Sequence, residues 1–207
     1  MFDRPVTYPQ WYQDEHVELW IASPVVIVDY IRRLFEAAPI HLQGFSDAQA
    51  SQGLYFLVSG FFFDGLSALY GEGILQSQRQ RCINSIYTLF KDYFAVRCSN
   101  HRSGGDEANE NPLDGTCFMW WDLLHDFAQG PEGRIGSDMD SEILATLEKI
   151  SQLNHDVCTK SALHGLGHWR VFCPDRVTAI IDTFLASNPN LDQDLRTYAL
   201  QARDRYV

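Results

Sequence analysis

Apolar residues recur at steps of three and four along most of the chain. Ile27, Tyr30, Ile31, Leu34, Phe35 and Ala38 form one such stripe, opened by Ser23-Pro24 and closed by Pro39. A hydroxyl at the cap and a proline at the first helical position predict a helix start there, because the missing proline N–H costs nothing in the first turn. Ser46-Asp47-Ala48-Gln49 has the spacing of a capping box. It launches the most apolar segment of the chain, through Leu54, Phe56, Leu57, Phe61, Phe62 and Leu66 to Tyr70, which predicts a central helix ended by Gly71 and Gly73. Ile83, Ile86, Tyr87, Phe90 and Phe94 predict a third helix by the same period.

Residues 99–112 are Ser, Asn, Gly, Asp and Glu with no apolar period, and they read as a long exposed loop. An aromatic helix is expected from about Asp114 to Ala128, then a loop broken by Gly130, Gly133 and Gly136, then a helix carrying Ile143, Leu144, Leu147 and Ile150. Three shorter helices are expected at Asp156–Trp169, Pro174–Ala186 and Leu191–Arg203, with Asp156, Cys173 and Asn190 at their caps. No segment alternates with period two as a half-buried strand does. The expected fold is all-α, a compact bundle of about eight helices in one domain. Within it, 1–98 supplies N-terminal helices, 99–115 the exposed loop and 116–207 paired helices. Ahead of the first helix, Phe2, Tyr8, Trp11 and Tyr12 among Pro5 and Pro9 make an irregular arm with enough aromatic surface to pack onto something.

Charge narrows the function classes. The 207 residues carry 16 Lys plus Arg against 27 Asp plus Glu, a net charge of −11. Such a field repels phosphate backbones and anionic lipid, so neither nucleic acid nor a membrane is an expected partner. The longest apolar stretch, Leu54 to Phe63, is too short to cross a bilayer, and Met1-Phe2-Asp3-Arg4-Pro5 lacks the basic-then-apolar pattern of an export signal. The five cysteines, at 82, 98, 117, 158 and 173, have no framework spacing and read as buried thiols of a reducing compartment. A cytoplasmic location is the expectation.

The string Cys158-Thr-Lys-Ser-Ala-Leu-His-Gly-Leu-Gly-His-Trp169, with Pro174, Ile180-Ile181-Asp182 and Leu195-x-x-Tyr198-Ala199 after it, resembles the helix pairs of HEAT-like α-solenoid proteins. With Met119-Trp120-Trp121-Asp122 upstream, it is similar to a group of uncharacterised bacterial proteins that share the Ser-Ala-Leu-His-Gly-Leu-Gly-His-Trp string. The resemblance covers roughly the last ninety residues. It implies stacked helix pairs that bind other macromolecules, and no catalytic residue is carried over from it.

Read from the residues alone, Gly165 and Gly167 each cost a helix about 1 kcal/mol against alanine, which close helix packing would offset. His164 and His168, four apart, share a helix face. Imidazoles so spaced suit a metal, with Cys158, His155 or Cys173 as further ligands, yet no glutamate follows His164 as in zinc proteases. Asp122 and the adjacent pair His125-Asp126 resemble part of a second metal chemistry, that of HD-type phosphohydrolases, which His101, His164 and His168 would complete. Neither nucleophile elbow nor phosphate loop is present.

Residues 101–150 hold eleven acidic and three basic side chains, most of the net charge, interleaved with Phe118, Trp120, Trp121 and Phe127. Aromatic anchors ringed by carboxylates suit a basic protein partner. The leading expectation is therefore a non-enzymatic, cofactor-free binding protein, an acidic immunity or inhibitor protein that occludes a basic bacterial toxin such as a nuclease. Its contacts would be Glu107, Glu110, Trp120, Trp121, Asp122 and Asp126. The alternatives are an HD-like metal-dependent hydrolase using Asp122, His125, Asp126, His164 and His168, and a structural adaptor that docks through Tyr8 to Trp20.

Overall fold

The computed structural model describes residues 1–14, 16–59, 65–99, 111–130, 133–134 and 137–204, and of 126–130, 133–134 and 137 the backbone. The fold is all-α. Helix α1 spans Pro24–Glu36, and the chain breaks at Ala37 before a single turn, α2, Ala38–His41, in which Pro39 takes an early position. Ser23 sits at the cap of α1 without donating or accepting a side-chain capping bond. Ahead of α3, Asp47–Ser59, the capping box forms in full: the Gln49 amide donates to Ser46 Oγ at 3.2 Å, and the Ser46 amide donates to Gln49 Oε1 at 3.1 Å.

The apolar run from Leu54 to Tyr70 is not one helix. The described part of α3 ends at Ser59, residues 60–64 lie outside the described residues, and Leu66–Tyr70 is a 3₁₀ helix. Gly65 explains the change of direction, because a Cβ there would lie 1.9 Å from the Leu57 carbonyl oxygen. The chain turns back across α3 where only glycine fits. Helix α4, Gln76–Leu89, continues through a π turn, Phe90–Phe94, into a last short turn, α5, Ala95–Arg97.

The expected aromatic helix is two helices. Asn111 caps α6, Pro112–Phe118, by accepting from the Leu113 amide at 2.9 Å, and α7, Trp120–Ala128, starts afresh after Met119 leaves helical geometry. Gln129–Gly130 and Gly133–Arg134 then form a two-residue antiparallel ladder. Helices α8, Asp140–Ser151, α9, Asp156–Trp169, α10, Pro174–Ser187, and α11, Gln193–Asp204, follow. Two caps differ from expectation by one or two residues. His155 caps α9 through its ring nitrogen, and Asp192 caps α11 by accepting from the amides of Asp194 and Leu195.

Helix α9 is the centre of the fold. It packs against α6, α7, α8, α10 and α11, and every residue from Ser161 to Trp169 is buried. Gly165 marks the tightest crossing: a Cβ there would lie 2.6 Å from Trp121 Cγ and 2.7 Å from Leu147 Cδ2. Close packing of α7 and α8 on α9 is thus what offsets this glycine's helix penalty. One connected apolar core runs from Ile27 in α1 to Ala202 in α11, with α1 on α4 and α4 on α8 linking its two ends. The N-terminal arm packs onto α3, with Trp11 and Tyr12 against Phe56 and Phe2 against Phe45. Among the described residues, no helix is long and apolar enough to cross a membrane.

Candidate metal centre

The face of α9 that carries His164 and His168 meets the first turn of α7, where the break at Met119 has re-aimed the chain. Asp122 projects from that turn between the two imidazoles. His164 Nε2 lies 2.9 Å from Asp122 Oδ1 and 3.0 Å from Oδ2, His168 Nε2 lies 2.5 Å from Oδ1, and the two Nε2 atoms are 3.1 Å apart. Two more helices complete the surroundings. The Phe118 ring at the end of α6 stacks on His164 with centroids 4.5 Å apart, and the Tyr198 hydroxyl from α11 meets His164 Nδ1 at 2.7 Å.

The side chain of Asp122 is 19% exposed and that of His164 10%, so the site lies close to the surface on the Asp122 side. Burial alone would raise the Asp122 carboxyl. Hydrogen bonds and charge from His164 and His168 outweigh it and hold the group well below the ordinary carboxylate range. Asp122 is therefore an anion with two imidazoles at its oxygen. Burial, helped by that anion, pushes the Tyr198 hydroxyl up to about 12, so it stays protonated near neutrality.

Three acceptor-capable atoms, one carboxylate oxygen and two imidazole nitrogens, converge within 3.1 Å of one another. Protons can occupy some of these lone pairs, whereas one cation can take all three. Bonds of about 2.1 Å at right angles would place neighbouring donors about 3.0 Å apart, close to the His164–His168 and His164–Asp122 separations, while the His168–Asp122 pair, at 2.5 Å, would have to open to admit an ion. Two histidines and a carboxylate on one face are a recurrent ligand set for first-row divalent ions, leaving the other positions open.

Of the residues singled out in the sequence, Asp122, His164 and His168 are brought together here. The His125 ring lies 4.9 Å from that of His168 but packs on Trp169 and Phe172, outside the three-donor group. Trp120 and Trp121 are not surface anchors. Both are fully buried, Trp120 against Phe35, Phe90 and Phe94 and Trp121 against Phe90 and Trp169, because α7 is sandwiched between these phenylalanines and α9. Glu107, Glu110, His101 and the side chain of Asp126 lie outside the described residues. Phe118 and Tyr198 join the site through the tertiary structure: the sequence marks Phe118 only as one of the aromatics of the acidic segment and Tyr198 only as part of the C-terminal helix pairs.

Cys158 stands at the other end of α9, away from the histidines. It belongs to a buried thiol group with Cys117 and Cys98 beside His155, whose two ring nitrogens face the Cys158 amide and the Cys98 carbonyl. Within it, the hydrogen bond from Cys117 lowers the Cys158 thiol to about 6 against the effect of burial, with a further hydrogen bond from His155, while burial pushes Cys117 well up. Cys173, at the start of α10, contacts Asp140 instead.

No family model, curated protein or solved structure gives a significant match to the chain.

Proposed function

We propose that this protein binds one divalent first-row metal ion on Asp122, His164 and His168 and uses it for hydrolysis. The convergence of one carboxylate oxygen and two imidazole nitrogens within 3.1 Å supports this reading most directly. With three protein donors on one side, an ion keeps open positions on the other for water and substrate. A metal-bound water loses its proton far more easily than bulk water, which supplies a nucleophile near neutral pH. Asp122 and the histidines would hold the ion, and Tyr198 would accept the Nδ1–H of His164, leaving Nε2 to bind metal.

The test is metal titration of the full chain after chelator treatment, read by elemental analysis and, for cobalt, by visible absorption. One ion per chain, lost in Asp122→Asn and in His164→Ala/His168→Ala while the helical circular dichroism persists, is the expected result. A folded protein that holds no manganese, iron, cobalt or zinc sinks the proposal. A screen of ester, phosphoester and amide substrates on the loaded protein then tests the hydrolytic part.

A further inference from the structure

We propose that the cavity between the N-terminal arm and α1 is a binding site for a long-chain carboxylate, its hydrocarbon tail on an apolar floor and its head at Arg4 and Arg33 on the rim. The arm is seated on α3 at separate points. Phe2 packs so closely over Gly53 that a Cβ there would lie 2.3 Å from its ring, Trp11 and Tyr12 lean on Phe56, and the Gln49 side chain donates to the Arg4 carbonyl at 3.3 Å. Between these anchors and α1 a cavity of about 560 Å³ is left. That is within the roughly 300–1,000 Å³ usual for ligand pockets. Its chemistry is segregated. Ile27 and Ile31 of α1 and Phe56 and Leu57 of α3 are buried at its floor, and apolar side chains of the arm complete its walls. Every charged side chain of the described lining, Arg4, Glu18 and Arg33, is exposed, as is the His41 ring beside them.

Charge selects the head group. Both guanidiniums rest on aromatic rings that line the same cavity, Arg4 5.7 Å from the Trp11 centroid and Arg33 5.7 Å from that of Tyr30. Arg33 has Asp29 at 4.0 Å, a carboxylate that Arg32 already holds at 2.8 Å, and the Met1 ammonium is taken by Asp3 at 3.0 Å. Glu18 is the single carboxylate of the described lining. Two guanidiniums against one carboxylate give the rim a net positive charge in a chain whose net charge is −11. Charges elsewhere on the surface are screened beyond about 8–10 Å at ordinary ionic strength, so the rim sets the preference. A guanidinium fork matches a carboxylate with two parallel hydrogen bonds. An apolar tail with one anionic head therefore answers both halves of the cavity. The residues involved belong to the arm, α1, α2 and α3, so the proposal does not depend on the metal reading.

The experiment titrates the full chain by calorimetry with octanoate, decanoate and dodecanoate below their micelle concentrations, after chelator treatment so that no metal competes for the carboxylate. Decanol and decyltrimethylammonium serve as the neutral and cationic counterparts. One molecule per chain is expected to bind, roughly fourfold tighter for each methylene added. Decanoate should bind at least tenfold tighter than either counterpart. Arg4→Gln/Arg33→Gln should remove that advantage and leave decanol binding unchanged, which a general loss of structure would not do, and Arg4→Lys/Arg33→Lys should restore most of it. Leu34→Trp, which fills the cavity from a half-buried wall position, should abolish binding of decanoate and decanol alike with the helical circular dichroism intact. No saturable binding of dodecanoate, equal affinity for decanoate and decanol, or a double glutamine variant that binds decanoate as wild type does overturns the proposal. So does a dimer, seen by sedimentation, that covers the cavity and excludes dodecanoate. Each of these leaves the metal reading untouched.

Discussion

Tyr198 and His164 meet at 2.7 Å, hydroxyl to Nδ1, while the opposite nitrogen of the same ring faces Asp122 at 2.9 Å. The imidazole is thereby fixed at both ends by helices that lie on either side of α9. Partners of this kind set the tautomer of a metal-binding histidine, and their removal commonly costs about 10–100-fold in metal affinity. Tyr198→Phe should weaken metal binding within that range and leave the stoichiometry at one ion, as measured by competition with a chromophoric chelator. Unchanged affinity would show that the hydroxyl has no part in orienting His164.

Gly165 tests the central packing independently of the site. Alanine there gains helix propensity, but its Cβ would sit 2.6 Å from Trp121 Cγ and 2.7 Å from Leu147 Cδ2 in a closed interior. Overpacking of a core costs about 1–3 kcal/mol, more than the ~1 kcal/mol that propensity returns at most. Gly165→Ala should therefore lower the urea midpoint at unchanged slope. A stabilised variant would mean that α7 and α8 separate from α9 more readily than their contacts indicate.

Trp120 distinguishes a core residue from a partner anchor. Buried among Phe35, Phe90 and Phe94, it should cost about 3–5 kcal/mol when replaced by alanine, as large aromatic truncations do in a packed interior. Chemical denaturation measures this directly. A surface anchor would leave stability within about 0.5 kcal/mol of wild type.

The thiol group makes a pH prediction. Cys158 is lowered from 9.0 to about 6, so between those values the folded chain has released a proton that the unfolded chain retains. Stability from this thiol then grows as pH rises from about 6 to 9, and is lost as pH falls through about 6. His155 is raised from 6.5, the hydrogen bond and charge of Cys158 outweighing burial, and works in the opposite sense as pH climbs through its folded value. Ultraviolet absorbance of the native protein should reveal one thiolate forming near pH 6, absent in Cys158→Ser. No thiolate below pH 9 would refute the assignment.

Much of the secondary structure is legible in the order of residues alone. The bounds Asp156–Trp169 are those of α9 itself, Ser46 and Gln49 make the box that their spacing implies, and Pro24 begins α1. Legibility fails where a distant contact decides the local path. Gly65 turns because it crosses Leu57, Met119 breaks a helix that the periodicity runs straight through, and His155 rather than Asp156 caps α9. The two tryptophans show the same limit, since adjacent residues on a helix point about 100° apart and both are buried only when the helix is covered on two sides.

By itself the sequence determined that the chain is helical, and that His164 and His168 lie on one face of one helix. Those are consequences of a 3.6-residue period acting over a few turns. Only the tertiary structure decided that this face meets Asp122, forty-two residues away from His164, that Tyr198 closes it from α11, and that Cys158 belongs elsewhere. The reason is physical: a period states which side chains share a face, but which helix that face meets depends on how the whole core packs.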